Sequence, residues 1–208
     1  MTIDRVAVLA GIDRVTAAME RDFEMLNAAD GALGDGDLGV TMTRGMRAIV
    51  RDAEALPDDL GMAFLACARA FTRSSGSSYG TLLAKGVMAV AKATKGRVEI
   101  APGEVPALAG AARDAMQALG KAELGGKTVL DSLDAVVAAT TGKSDPGELA
   151  DAAARAVDEA LDAFRDKPAT VGRARIFGER SVGMDDPGML AMAGIVKALV
   201  DRESEEGP

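Results

Sequence analysis

A chain of 208 residues with 48% hydrophobic content suffices for one domain with a substantial core, and its scarcity of aromatics (five Phe, one Tyr, no Trp) favours packed helices over a β-sandwich or barrel. A net charge of -8 argues against a protein that grips nucleic acid or an anionic membrane through its overall field. The absence of histidine excludes Ser-His-Asp and Cys-His catalysis, histidine zinc ligands and capture of a substrate on imidazole, so any chemistry must run on carboxylates, metal and Arg or Lys.

In chain order, apolar residues recur at helical spacing in Ile3 to Leu26, Val40 to Leu56, Leu60 to Phe71 and Leu82 to Ala93. After the turn-like KGRVEIAPGEVP the same spacing predicts helices over Ala107 to Leu119, Val129 to Ala139, Leu149 to Phe164 and Met189 to Val200, each bounded by Gly, Pro or Asp/Ser. The expectation is an all-α fold of about eight helices in a single domain spanning 1–208. Asp145-Pro146-Gly147-Glu148 reads as a helix start with Asp145 as N-cap. Cys67 sits in an apolar stretch and reads as a buried structural thiol; the tail at 203–208 reads as disordered. No apolar run approaches the roughly 20 residues that cross a bilayer, and the N-terminal segment lacks signal-peptide features, so a cytoplasmic location is expected.

The segment DGALGDGDLG places Asp30, Asp35 and Asp37 at i, i+5 and i+7 with glycines between them. A glycine turn can converge the three carboxylates, whose mutual repulsion a hard divalent ion would relieve. Oxygen-only ligands in small number suit Mg²⁺, which keeps its other positions for water or phosphate. A solvated acidic turn is the alternative. An EF-hand fails, because with Asp35 first the sixth position is Val40 and the twelfth Met46. A helix opening just after the aspartates would present the N–H groups of Gly39 to Thr41 beside the metal, where phosphate is favoured.

Three further breaks are rich in polar groups. GGKT at Gly125 to Thr128 is not a P-loop, since the position needing glycine is Lys121; the region from Gly120 to Val129 forms either a flat wall able to hold an adenine ring or a plain interhelical loop. TRSSGSSYGT offers Ser74, Ser75, Ser77 and Ser78 before a helix, as phosphate donors or as an N-cap cluster. GRARIFGERSVGMDDPG carries Arg173, Arg175 and Arg180 with Asp185 and Asp186, suited to neutralising a phosphate, capping the last helix or forming a surface ion-pair network.

Four segments in this order, D-x4-D-x-D-x-G at Asp30 to Gly39, SSG with YGT at Ser74 to Thr81, GKAE with GKTVLD at Gly120 to Asp131, and GRA…GERSVG-x-x-DPG at Gly172 to Gly188, resemble the L subunit of dihydroxyacetone kinase, its nucleotide-binding component. The resemblance implies an antiparallel barrel of eight helices that binds ADP or ATP at one end through two Mg²⁺ ions held by Asp30, Asp35 and Asp37. It implies phosphate contacts at Leu38, Gly39, Val40 and Thr41 and at Ser74 and Ser75, and contacts to adenine and sugar around Gly120, Val129, Arg173, Asp186, Pro187 and Gly188. Family members usually carry His where this chain has Leu38 and Met184, Asn where it has Thr41, and Gly-Pro where it has Gly76-Ser77. In the family a histidine on a separate K subunit or domain holds the ketose, so this histidine-free chain is expected to act only with such a partner.

The mechanism so implied is in-line phosphoryl transfer from a metal-bound nucleotide to a hydroxyl of a short ketose or tetrose, with Arg173 the candidate for neutralising charge. Exchange of ATP and recharging of bound ADP by a phosphocarrier protein are both open, as is a homodimer. The competing readings are a related fatty-acid kinase module and a non-catalytic nucleotide-binding regulatory subunit.

Overall fold

Helical spacing governs most of the chain. The computed structural model describes residues 2–74 and 76–201, so Ser75 and the tail at 203–208 lie outside the described residues. Among the described residues are nine α-helices: α1 (Arg5–Arg21), α2 (Phe23–Leu33), α3 (Leu38–Asp52), α4 (Leu60–Ser74), α5 (Ser78–Ala93), α6 (Val105–Gly120), α7 (Val129–Thr140), α8 (Pro146–Arg165) and α9 (Pro187–Val200). Two strands of two residues, β1 (Ile3–Asp4) and β2 (Glu99–Ile100), pair antiparallel with Ile3 opposite Ile100.

The extra helix comes from the first segment. The helix expected from Ile3 to Leu26 is broken at Asp22 (φ -88°, ψ 3°), whose carboxylate binds the Arg21 guanidinium at 2.9 Å instead of serving a continuous helix. Aspartate is a weak helix former because its carboxylate competes for local donors. At this break α9 leans in through a glycine: a Cβ on Gly194 would stand 2.9 Å from Met19 Cε and 3.2 Å from Asp22 Oδ2. The chain then continues as α2 as far as Leu33, seven residues beyond the expected end.

Successive helices pack side by side in the order α1, α3, α4, α5, α6, α7, α8, α9, and α9 returns to α1, so eight helices close a ring while α2 braces α3 and α9. The expected eight-helix barrel is therefore present, with a ninth helix added. At the closing seam Arg14 Nε donates to the carbonyl of Ala198 at 2.9 Å, and Nη2 to that of Leu199 at 3.3 Å. These carbonyls lie in the last turn of α9, where a cation is favoured by the helix dipole.

The interior is filled largely by alanine, leucine, valine and methionine. One apolar cluster contains Met19, Met42, Phe71 and Ala191, a second contains Met116, Val157, Met189 and Met192, and Tyr79, Leu83 and Leu190 pack against both. Small residues set the spacing: a Cβ on Gly45 of α3 would lie 2.1 Å from the Phe71 ring of α4. Cys67 is buried in the first cluster, and burial pushes its thiol up to about 11, which keeps it protonated and unreactive at neutral pH. Asp145 caps α8 as expected, accepting from the N–H groups of Gly147 and Glu148 at 2.8 and 3.0 Å. Among the described residues no helix is long and apolar enough to cross a membrane.

Candidate functional site

The starts of α3, α5, α7 and α9, the end of α2 and the end of α6 meet at one mouth of the ring, around a cavity of about 1040 Å³. The other mouth carries the β1–β2 pair. Four helix N-termini at one opening direct their positive dipole ends to it, a setting that favours anions.

The acidic segment sits on the rim. One carboxylate oxygen each from Asp30, Asp35 and Asp37 lies within 4.8 Å of the others. Their route to this cluster differs from the single glycine turn expected: Asp30 is on the last turn of α2, Asp35 in the connection, and Asp37 at the N-cap of α3. Asp30 Oδ2 accepts from the N–H of Asp37 at 2.8 Å and of Leu38 at 3.2 Å, which draws the start of α3 against the end of α2. Two glycines permit the approach. A Cβ on Gly34 would stand 2.3 Å from Asp30 Oδ1, and Gly36 has φ +80°.

Asp37 makes no side-chain cap bond to its own helix, so its carboxylate remains turned to the cluster. Burial, and the charges of Asp35 and Asp30, raise its pKa above the usual carboxylate range. Asp35 goes the other way, lowered by its hydrogen bond and ion pair with Arg173. Three oxygen donors whose mutual repulsion perturbs one of them fit a hard divalent cation, and the absence of sulfur or nitrogen donors matches Mg²⁺ better than a transition metal.

Of the other expected site residues, Leu38, Gly120, Val129, Arg173, Asp186, Pro187 and Gly188 all line the cavity. Gly39, Val40, Thr41 and Ser74 do not. Because α3 starts at Leu38 rather than Val40, its first-turn donors are shifted and partly committed. The Val40 N–H meets Asn27 Oδ1 at 3.3 Å, the Thr41 N–H bonds the Asp37 carbonyl at 2.8 Å, and Gly39 is buried against the Phe23 carbonyl of α2. The Ser74 hydroxyl donates to the Phe71 carbonyl at 2.8 Å within its own helix. Ser75 lies outside the described residues. The serine segment reaches the cavity through Gly76, Ser77 and Ser78, and Ser77 caps α5 by accepting from the Gly80 N–H at 3.0 Å.

A second wall of the cavity is built by two loops. Thr128 caps α7, and the Asp131 carboxylate accepts from the N–H groups of Thr128 at 2.7 Å and Gly125, fixing the turn after α6. Against it lies the stretch from Thr170 to Ile176, with the Thr170 N–H donating to the Gly126 carbonyl at 3.2 Å. Asp186 caps α9 through the Met189 N–H at 2.9 Å, and burial raises its carboxyl to about 6. Beside it the Tyr79 hydroxyl donates to the Gly188 carbonyl at 3.3 Å; burial, then the Asp186 charge, raise its pKa. Asp185 pairs with Arg165 of α8 at 2.9 Å and Arg173 with Asp35, so the ion pairs link this segment to other elements instead of forming the network expected within it.

Two features were missed by sequence reasoning. Lys127, in the GGKT stretch, is completely buried and has φ +61°, a left-handed conformation unusual for a side chain of that size. Its burial lowers its pKa. Tyr79 could have been found as the sole tyrosine of the chain, two residues after a cap serine; Lys127 had no such signal.

A closed helical ring that gathers three carboxylates and four helix N-termini at one mouth defines a single-domain protein equipped to hold a cation and an anion together. The chain belongs to the DAK2 domain family, whose sequence profile matches residues 32–201. It is 28% identical over 204 residues to the ADP-binding subunit DhaL of PEP-dependent dihydroxyacetone kinase 1 from Listeria innocua, covering 98% of this chain and 99% of that subunit. The corresponding Escherichia coli subunit is also 28% identical, over 96% of this chain and 97% of that one. L-erythrulose 1-kinase of Mycolicibacterium smegmatis is 35% identical over 93% of this chain but only 34% of its own length. The structure of dihydroxyacetone kinase from C. freundii in complex with AMP-PNP and Mg²⁺ superposes with a TM-score of 0.72 at 25% identity, over 93% of this chain and 33% of that one.

Proposed function

We propose that this chain is the nucleotide-carrying subunit of a dihydroxyacetone-type kinase, binding ADP or ATP with Mg²⁺ and passing a phosphoryl group to a short ketose or tetrose held by a separate K-type subunit. The observation that carries this reading is the convergence of Asp30, Asp35 and Asp37 at the mouth of a cavity that would also fit a nucleotide. The end-to-end match to ADP-binding subunits supports it.

In this reading the three carboxylates hold two Mg²⁺ ions, which when bound neutralise the phosphates and fix the line of transfer. Arg173, already poised beside Asp35, supplies the positive charge that the transferring group needs. The apolar face around Val129 and Leu119 takes the base, and the caps at Asp186 and Ser77 hold the rim in place. Excluding water from this cavity strengthens each of these electrostatic contacts. The chain has no histidine to present a ketose, so the acceptor hydroxyl comes from the partner. Full-length similarity to PEP-dependent subunits favours recharging of ADP in place by a phosphocarrier over free exchange, and the purified protein is then expected to retain ADP.

Calorimetric titration of ADP and ATP, with and without Mg²⁺, tests the site on the parent and on a chain carrying Asp35→Ala with Asp37→Ala. Mg²⁺-dependent binding in the parent should fall by on the order of 100-fold or more in the double variant, since two of three charged ligands are gone. Equal binding by both chains rejects the site. A coupled assay with the product of the neighbouring gene and a panel of ketoses then separates a kinase subunit from a nucleotide sensor, which would bind without turnover.

A further inference from the structure

Lys127 has no part in the phosphate or metal chemistry above, yet among the described residues it is the largest side chain that is completely buried. An ammonium group taken out of water is strongly disfavoured unless its three protons find acceptors. Here all three do, and all three acceptors are carbonyls of a single excursion of the chain: Arg165 at 2.9 Å, Lys167 at 2.9 Å and Ser181 at 2.8 Å. The same excursion is tied to itself at its base. The Gly183 N–H donates to the Arg165 carbonyl at 2.9 Å, and the Ser181 hydroxyl accepts from the Ala169 N–H at 2.7 Å while donating to the Gly178 carbonyl at 2.6 Å.

Between these fastened points the chain runs out to the cavity as Thr170 to Ile176 and carries Arg173 to Asp35. That stretch has one short 3₁₀ turn at Ala174–Ile176, the Thr170 N–H bond to the Gly126 carbonyl, and Ala174 packed with Leu33 and Ala169 to order it. The hub at its root adds the three bonds that tie both ends of the excursion to the residue before Thr128, the cap of α7. The left-handed backbone at Lys127 costs energy that a loop residue would otherwise avoid, and it aims the side chain inward beneath that stretch.

We infer that Lys127 is a positioning residue: its ammonium, caged by the carbonyls of Arg165, Lys167 and Ser181, fixes the wall that presents Arg173 and Thr170 to Ile176 to the bound nucleotide. The inference rests on the nucleotide reading of the cavity and adds to it the device that holds one wall in register. Lys127 touches no substrate; it acts through the loop above it.

The test uses the full chain, a fluorescent ADP analogue with saturating Mg²⁺, and Mn²⁺ alone as a metal probe read by electron paramagnetic resonance. Lys127→Met keeps the buried hydrocarbon and removes the charge. The analogue is expected to bind on the order of tenfold or more weakly, because misplacing a positioning wall by about 1 Å is enough for such a loss, while Mn²⁺ affinity stays within about twofold. A folded variant that binds the analogue within about twofold of the parent overturns the inference, as does an equal weakening of analogue and Mn²⁺. Should Lys127→Met fail to fold, Ser181→Ala, which unties the same excursion without stranding a charge, is held to the same two criteria. A parent chain that binds no analogue rejects the nucleotide reading instead. The hub is then judged by hydrogen exchange at the Thr170 and Gly183 amides, where protection lost in Lys127→Met supports it and protection unchanged overturns it.

Discussion

At the scale of single residues, the site depends on how closely the starts and ends of helices approach one another. Gly39 shows this best. Expected as a phosphate contact, it instead lets α3 lie against α2, where a Cβ would stand 2.3 Å from the Phe23 carbonyl and 2.8 Å from Asn27 Oδ1. Gly39→Ala should therefore push the start of α3 outward and separate Asp37 from Asp30 without removing any carboxylate. The expected outcome is a loss of about 1–3 kcal/mol in urea unfolding together with weaker Mn²⁺ binding. Unchanged metal affinity would show that the cluster tolerates the displacement. The aspartates were legible because carboxylates alternating with glycines are hard to explain as a simple helix connection. That Asp30 belongs to a helix was not legible: Ala28, Ala29, Gly31 and Ala32 give almost no periodic signal, and Gly31 argues for a turn. Lys127 was hidden for another reason, since a lysine between glycine and threonine looks like a solvated loop until the three carbonyls above it are known.

At the scale of elements, caps rather than propensity decide where the helices start. Asp145, Thr128, Ser77 and Asp186 each accept from the first turn of the helix that follows. Three of these caps stand at the cavity mouth or carry a residue that lines it, whereas Asp145 stands apart from it. Asp145→Ala thus separates stability from function: it should lower stability by about 1 kcal/mol in thermal or urea unfolding and leave nucleotide affinity unchanged. A loss of affinity on that substitution would mean that the orientation of α8 reaches the site. Helix spacing and Pro or Gly punctuation placed seven of the eight expected helices within a few residues. The first failed at Asp22, where the apolar pattern continues across the break and the Asp22–Arg21 pair together with the approach of α9 explains it. The two-residue strands were invisible, because a pairing of Ile3 with Ile100 joins segments too short to carry an alternating pattern.

At the scale of the whole molecule, the ring buries its helices against neighbours on both sides and leaves the polar chemistry to one mouth. A ligand that bridges α2, α3, α7 and α9 at that mouth would tie opposite sides of the ring together. Saturation with Mg²⁺ and ADP at about 100 times Kd should accordingly add roughly 2.7 kcal/mol of stability, seen as a rise in Tm that a chelator reverses. No rise would argue against a nucleotide at the mouth. The barrel itself was legible only through the resemblance of four motifs in order. Periodicity identifies helices one at a time and says nothing of which one returns to the first.

That return carries a consequence of its own for biogenesis. Arg14 grips the Ala198 carbonyl across 184 positions of sequence. During synthesis α1 can pack on α3 but waits for α9 until the chain through Ala198 has left the ribosome, and ring closure cannot begin from the first helices alone. The mouth that holds Asp186 is finished by that same late arrival, so chemical competence waits for α9 to dock.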